Sequence, residues 1–124
     1  MTPIFTTNSL EEAKSDFNHV KLEADQAKIL DDMAKIIEPH LEINFLALKG
    51  FMLRAIKQWQ SAENMALGDL VTAKPEVRIK QMAAMFYNLK GILTKALVKQ
   101  TDKEAVEKAV DGAFENYKEK YAYR

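Results

Sequence analysis

The segment from Leu41 to Ile56, closed by Trp59, constrains this chain more than any other stretch. Leu41, Phe45, Leu48, Met52, Ala55 and Trp59 recur at steps of three and four residues, the period of one helix face. Ile43, Leu46, Phe51 and Leu53 widen that stripe well beyond what a surface helix carries. The run is too long for a strand and holds no turn residue, so it predicts a helix buried over most of its circumference. Lys49 and Arg54 interrupt it, and it is too short to cross a bilayer.

The central segment has an echo. Residues 45–56 align without gaps on residues 86–97, with phenylalanine, leucine, lysine, glycine and alanine recurring in place. The proline-led starts at Pro39 and Pro75 match at a different offset, so the two halves do not make one clean repeat. Two core helices drawing on the same residues account for the echo. The sharper alternative is a pair of equivalent helices crossing at Gly50 and Gly91. Glycine in a helix interior costs ~1 kcal/mol against alanine, and close backbone approach is the usual reason for keeping it.

A chain of 124 residues with three prolines and four glycines has few turns, hence few and long elements. The expectation is an all-α fold: a four-helix antiparallel bundle with long central helices, completed within one chain or by dimerisation. An extended arm, residues 1–8, would precede a single bundle domain, residues 9–124. Ser9 and Glu12 read as a capping box opening a first helix that runs to about Ile37, with Asn18-His19 as a weak place for a bend. Glu38-Pro39 ends it. A second helix runs from Pro39 to about Leu70, Gly68 to Lys74 is the loop, and Pro75 opens the third. Thr101 and Glu104 suggest the cap of the fourth helix.

Acids and bases balance at 18 each, so no global attraction to a polyanion is built in. Their distribution is uneven. Residues 1–38 hold eight acids and four bases, and residues 71–100 hold one acid and six bases. An acidic first helix lying against a basic third one is the simple expectation. Cysteine is absent, which excludes a disulfide framework, a thiol nucleophile and a thiolate metal site. The start lacks a basic region followed by an apolar core, so no secretory signal is expected. The expectation is a soluble, cytoplasmic protein with no membrane contact.

Motifs for chemistry are sparse. Asp16, His19 and Glu23 share one face of the first helix, but a metal site in a bundle needs carboxylates and histidines converging from several helices. His40 stands at a helix start with no nucleophile beside it. Glu11-Glu12 and Asp31-Asp32 are adjacent pairs whose side chains diverge by about 100° on a helix, too far apart to act as a general acid and base on one substrate. No phosphate-binding loop or nucleophile elbow is present. The expectation is therefore no enzyme, no cofactor and no metal.

Two surfaces remain as candidates. Ile4 and Phe5 in the arm, with Phe114, Tyr117, Tyr121, Tyr123 and Arg124 near the C-terminus, have the residue types of protein-interface hot spots. Arg78, Lys80, Lys90, Lys95 and Lys99 make the third helix basic and offer a nucleic-acid surface as the alternative, although a helical step of 100° spreads them around the polar side. A third reading is a motif-free helical enzyme or small-ligand carrier, with a pocket lined by Trp59 and the methionines Met33, Met52, Met65, Met82 and Met85. The first reading is preferred: a small non-enzymatic binding or assembly protein that self-associates and contacts a protein partner. Its style is that of accessory proteins of viruses and mobile elements.

Overall fold

Asn44 shows how the central helix starts. Its side-chain oxygen accepts the Ala47 amide at 3.1 Å, a helix N-cap five residues later than the proline suggested. In this computed structural model, which describes residues 2–122 with the side chains of Asp25, Tyr121 and Ala122 left aside, six α-helices form and no strand does among the described residues. They are α1 (Thr7–Asn18), α2 (Ala24–Ile37), α3 (Phe45–Glu63), α4 (Leu67–Thr72), α5 (Pro75–Lys95) and α6 (Lys103–Tyr117). The chain ends its described part in a π-helical turn, Lys118–Ala122.

The expected first helix is two helices. The His19 amide and ring both bond the Ser15 carbonyl, at 3.1 and 2.7 Å, and together they close the C-terminus of the first of these. The chain then leaves the helix until Glu23, which is extended and whose side chain and that of Gln26 form the capping box of α2. The expected Ser9–Glu12 cap is displaced as well. Thr6 is the cap, accepting the Ser9 amide at 3.2 Å, because the arm holds it extended.

Pro39 does not open α3. Residues 41–44 belong to no helix, Leu41 buries its side chain, and Thr2 donates to Glu42 at 3.0 Å. At the other end α3 stops at Glu63, where Asn64 takes a left-handed φ of 51°. Asparagine is among the few residues that visit that region at small cost. The expected Gly68–Lys74 loop is partly the short helix α4, which turns Leu67 and Leu70 into the core. Pro75 does open α5, at its first helical position. Asp102 stands at the start of α6 after a 3-10 turn, Gln100–Asp102, and no side-chain bond caps it, so the expected Thr101 cap is not used.

Trp59 is the largest fully buried side chain, and its indole N–H donates to Gln81 at 2.9 Å, closing a polar pair inside the core. Around it α3 packs on α1, α2 and α5, while α5 packs on α6. Gly50 is the crossing point of α3 with α1. A Cβ there would lie 2.9 Å from the Ala13 Cα and closer still to its carbonyl. Gly91 is no crossing point, since a Cβ there would meet nothing within 4 Å. The equivalence of the two glycines therefore fails: one faces α1, the other faces solvent.

The acidic front of the chain is met by α3 rather than α5. Asp31 pairs with Lys49 at 3.1 Å and Lys35 at 2.9 Å, and Arg54 pairs with Asp16 at 2.6 Å. Hydrogen bonds from Lys35 and then Lys49 hold the Asp31 carboxyl below its usual range. The Lys49 ammonium also sits over the Phe17 and Phe45 rings, at 5.2 and 5.0 Å from their centroids. One lysine thus ties α1, α2 and α3 together. No helix among the described residues is long and apolar enough to cross a membrane.

Candidate functional site

The arm forms the first candidate surface. Phe5 pairs with Leu97 in an isolated antiparallel bridge: Thr6 N–H donates to the Ala96 carbonyl at 2.8 Å, and Val98 N–H donates to the Ile4 carbonyl at 2.9 Å. Side chains alternate along extended backbone. Phe5 therefore turns inward, 6.4 Å from the Phe51 ring, while Ile4 turns outward. Ile4 is 56% exposed and Val98, across the bridge, is 54% exposed. The Ile4 amide lies 3.4 Å from the buried Asp102 carboxylate, which holds the arm against the entry to α6. Two large apolar side chains are thus presented side by side on a segment fixed at both flanks.

The aromatic residues of α6 are placed differently. Phe114 and Tyr117 do share a face, and that face points at α5. Phe86 lies 5.4 Å from Phe114 and 6.2 Å from Tyr117, ring centre to ring centre. Tyr117 is buried and Phe114 half-buried, so both serve the core before any partner. Burial pushes the Tyr117 hydroxyl up from its ordinary range, and the nearby Arg78 charge opposes the shift. The Tyr121 side chain, Tyr123 and Arg124 lie outside the described residues.

The basic residues of α5 separate into two sets. Arg78 is half-buried in a groove of about 210 Å³ between α2, α4 and α5, bordered by Met33, Met82 and Tyr117. Lys90 is half-buried and bonded to Asp111 of α6 at 2.9 Å. Lys80, Lys95 and Lys99 are exposed. Lys80, Ala84, Tyr87, Gly91 and Lys95 follow at steps of four, three, four and four, so they form one stripe down the outer face of α5. Tyr87, at its centre, is 71% exposed, and the Lys90 ammonium lies 5.8 Å from its ring centroid.

The remaining sequence candidates have structural partners. Trp59 is core and borders none of the grooves described, while Met33 and Met82 of the methionine set border the groove beside Arg78. His40 is not at a helix start. It sits in the connection between α2 and α3, with Nε2 2.7 Å from the Asn116 amide nitrogen and Nδ1 against Gly112. Asp16, His19 and Glu23 are engaged by Arg54, by the Ser15 carbonyl and by the cap of α2. Val98 was not legible as a surface residue, because it ends an apolar run, Ala96-Leu97-Val98, that reads as core. Comparison with protein-family models, with characterised proteins and with solved structures finds no match to this chain.

Proposed function

We propose that this chain is a small non-enzymatic helical binding and assembly protein, of the accessory type, acting in the cytoplasm through protein–protein contacts. In this reading α2, α3, α5 and α6 serve as an antiparallel four-helix scaffold, and self-association accompanies the contact with a protein partner. The observation that carries it is the arm junction. Ile4 and Val98 are exposed together on backbone fixed by inter-segment hydrogen bonds, so a partner finds them already ordered. An apolar pair held in place loses little side-chain and backbone entropy on binding, which is what distinguishes an anchor from a scattered surface residue.

The test is affinity capture with the wild type and with the double variant Ile4→Ser, Val98→Ser. Both side chains are exposed, so helicity and the unfolding midpoint should hold. A protein retained by the wild type and lost by the variant supports the reading. Identical retention by both, or none by either, refutes it. The nucleic-acid reading keeps one specific observation: Lys80, Lys95 and Lys99 are exposed and have no ion-pair partner among the described residues. It requires binding that weakens steeply with salt and with Lys80→Gln, Lys95→Gln.

A further inference from the structure

We infer that the outer face of α5 and α6 is a self-complementary surface that pairs two copies of this chain about a two-fold axis. The inference deepens the assembly reading by naming the self-contact, and it can fail while the arm-junction contact stands.

The face carries two stripes of opposite sign. On α5 runs Lys80, Tyr87, Gly91 and Lys95. On α6, Glu104, Glu107, Asp111 and Glu115 follow at steps of three and four and so share one side; within the chain Lys108 pairs with Glu104, Lys90 with Asp111 and Lys118 with Glu115, and Glu107 is left for a second copy. The two helices run antiparallel: Phe86 meets Phe114 and Tyr117, and Lys90 bonds Asp111. That ion pair fixes their relative height. Lys95 lies five residues beyond Lys90, about 7.5 Å along the axis, and Glu107 and Glu104 lie about 6 and 10.5 Å from Asp111 in the same direction.

Two arrangements of a second copy are possible on such a face. A two-fold axis across the helices sets α5 on α5 and α6 on α6, opposing like charges. A two-fold axis parallel to the helices, midway between them, lays α5 of one copy over α6 of the other. Every height is then preserved, and two charges that the fold leaves unpaired among the described residues, Lys95 and Glu107, come to facing levels. Lys95 of one protomer faces the level between Glu104 and Glu107 of its partner, and each contact is made twice. Within one chain, among the described residues, neither Lys95 nor Glu107 has an ion-pair partner. Tyr87 falls near the centre of this contact, the place where interfaces concentrate exposed aromatics. Gly91 beside it has open space where a Cβ would stand, so the second backbone can come close.

The experiment is light scattering and sedimentation equilibrium on the full chain from about 1 μM to about 1 mM, a range that spans weak dimer affinities. Four proteins are compared: wild type, Lys95→Glu, Glu107→Lys, and the double exchange. The expected wild-type particle has twice the 14.1 kDa chain mass. Each single reversal should weaken dimerisation about tenfold or more, since it replaces two attractions per dimer with two repulsions, and added salt should shrink the difference. The double exchange should restore the wild-type constant to within about threefold. A monomeric wild type at all concentrations overturns the proposal, and binding of a single-stranded oligonucleotide by that monomer through Lys95 would give the face to nucleic acid. A dimer indifferent to both reversals overturns this face and leaves self-assembly to another surface. A double exchange as weak as the singles overturns the pairing. Circular dichroism and unfolding midpoints, expected unchanged for all four, show that the fold is not at issue.

Discussion

The same substitution in the same local sequence should have opposite effects at Gly50 and Gly91. Both follow Leu-Lys, at Leu48-Lys49 and Leu89-Lys90. At Gly50 a methyl group would be driven into the backbone of Ala13, 2.9 Å from its Cα and nearer to its carbonyl, where ordinary contacts lie at 3.4–4 Å. The obstacle is main chain and cannot rotate away, so α1 must retreat by about 1 Å, a gap that forfeits roughly a quarter to a half of each dispersion contact it opens. Forcing an extra methylene into a packed core costs typically about 1–3 kcal/mol, and an immovable neighbour puts this site at the upper end. Alanine's helix preference over glycine returns about 1 kcal/mol. The expected net for Gly50→Ala is a loss of about 2 kcal/mol, a urea midpoint lower by about 1 M at a slope of about 2 kcal/mol/M. At Gly91 nothing within the chain opposes the methyl, so in the dilute monomer Gly91→Ala should gain about 0.5–1 kcal/mol and raise the midpoint. Trp59 fluorescence and far-ultraviolet dichroism should report the same transition in both. A Gly50→Ala midpoint equal to or above wild type would refute the α1–α3 approach. A lower one for Gly91→Ala in the dilute monomer would refute the open outer face of α5.

Removing the carbonyl partner of Trp59 tests the core's one described side-chain polar pair. Gln81→Ala strands a buried indole N–H and should cost about 1–3 kcal/mol by urea unfolding, while a change below about 0.5 kcal/mol would show that the bond contributes little. Tyr117 gives a pH signature. Its folded-state pKa is raised by burial, so its contribution is present in full below the ordinary tyrosine value near 10 and is lost as pH rises through the raised value. Lys35, raised by the hydrogen bond it donates to Asp31, declines in the same window in every variant. Thermal midpoints measured from pH 8 to pH 11 should therefore fall less steeply for Tyr117→Phe than for wild type, and parallel slopes would show that the hydroxyl is not desolvated on folding.

What could be read from the sequence was what a repeating pattern carries, and what could not was decided by single side chains. The stripe from Leu41 to Trp59 places α3 in the centre because burial of a face needs only period and composition. Pro75 is legible for a similar reason: its ring fixes φ and removes a donor that the first turn does not use. The break after Asn18 is of another kind. The residues there continue a helical period, yet the His19 amide and ring close α1 on the Ser15 carbonyl and the Glu23–Gln26 box begins a new helix, local bonds that outweigh the continuing period. The same competition moved the start of α3 from Pro39 to Asn44, where a capping side chain is available and the proline offers none. The candidate surfaces follow this division. Phe114 and Tyr117 were correctly placed on one face, but period alone cannot say whether an aromatic face meets solvent or Phe86. Phe5 and Ile4 looked alike in the sequence and were separated by a single bridge to Leu97, which turned one inward and left the other exposed. The exposed surface of this fold is therefore set less by which residues are present than by which of two adjacent residues a hydrogen bond turns toward water.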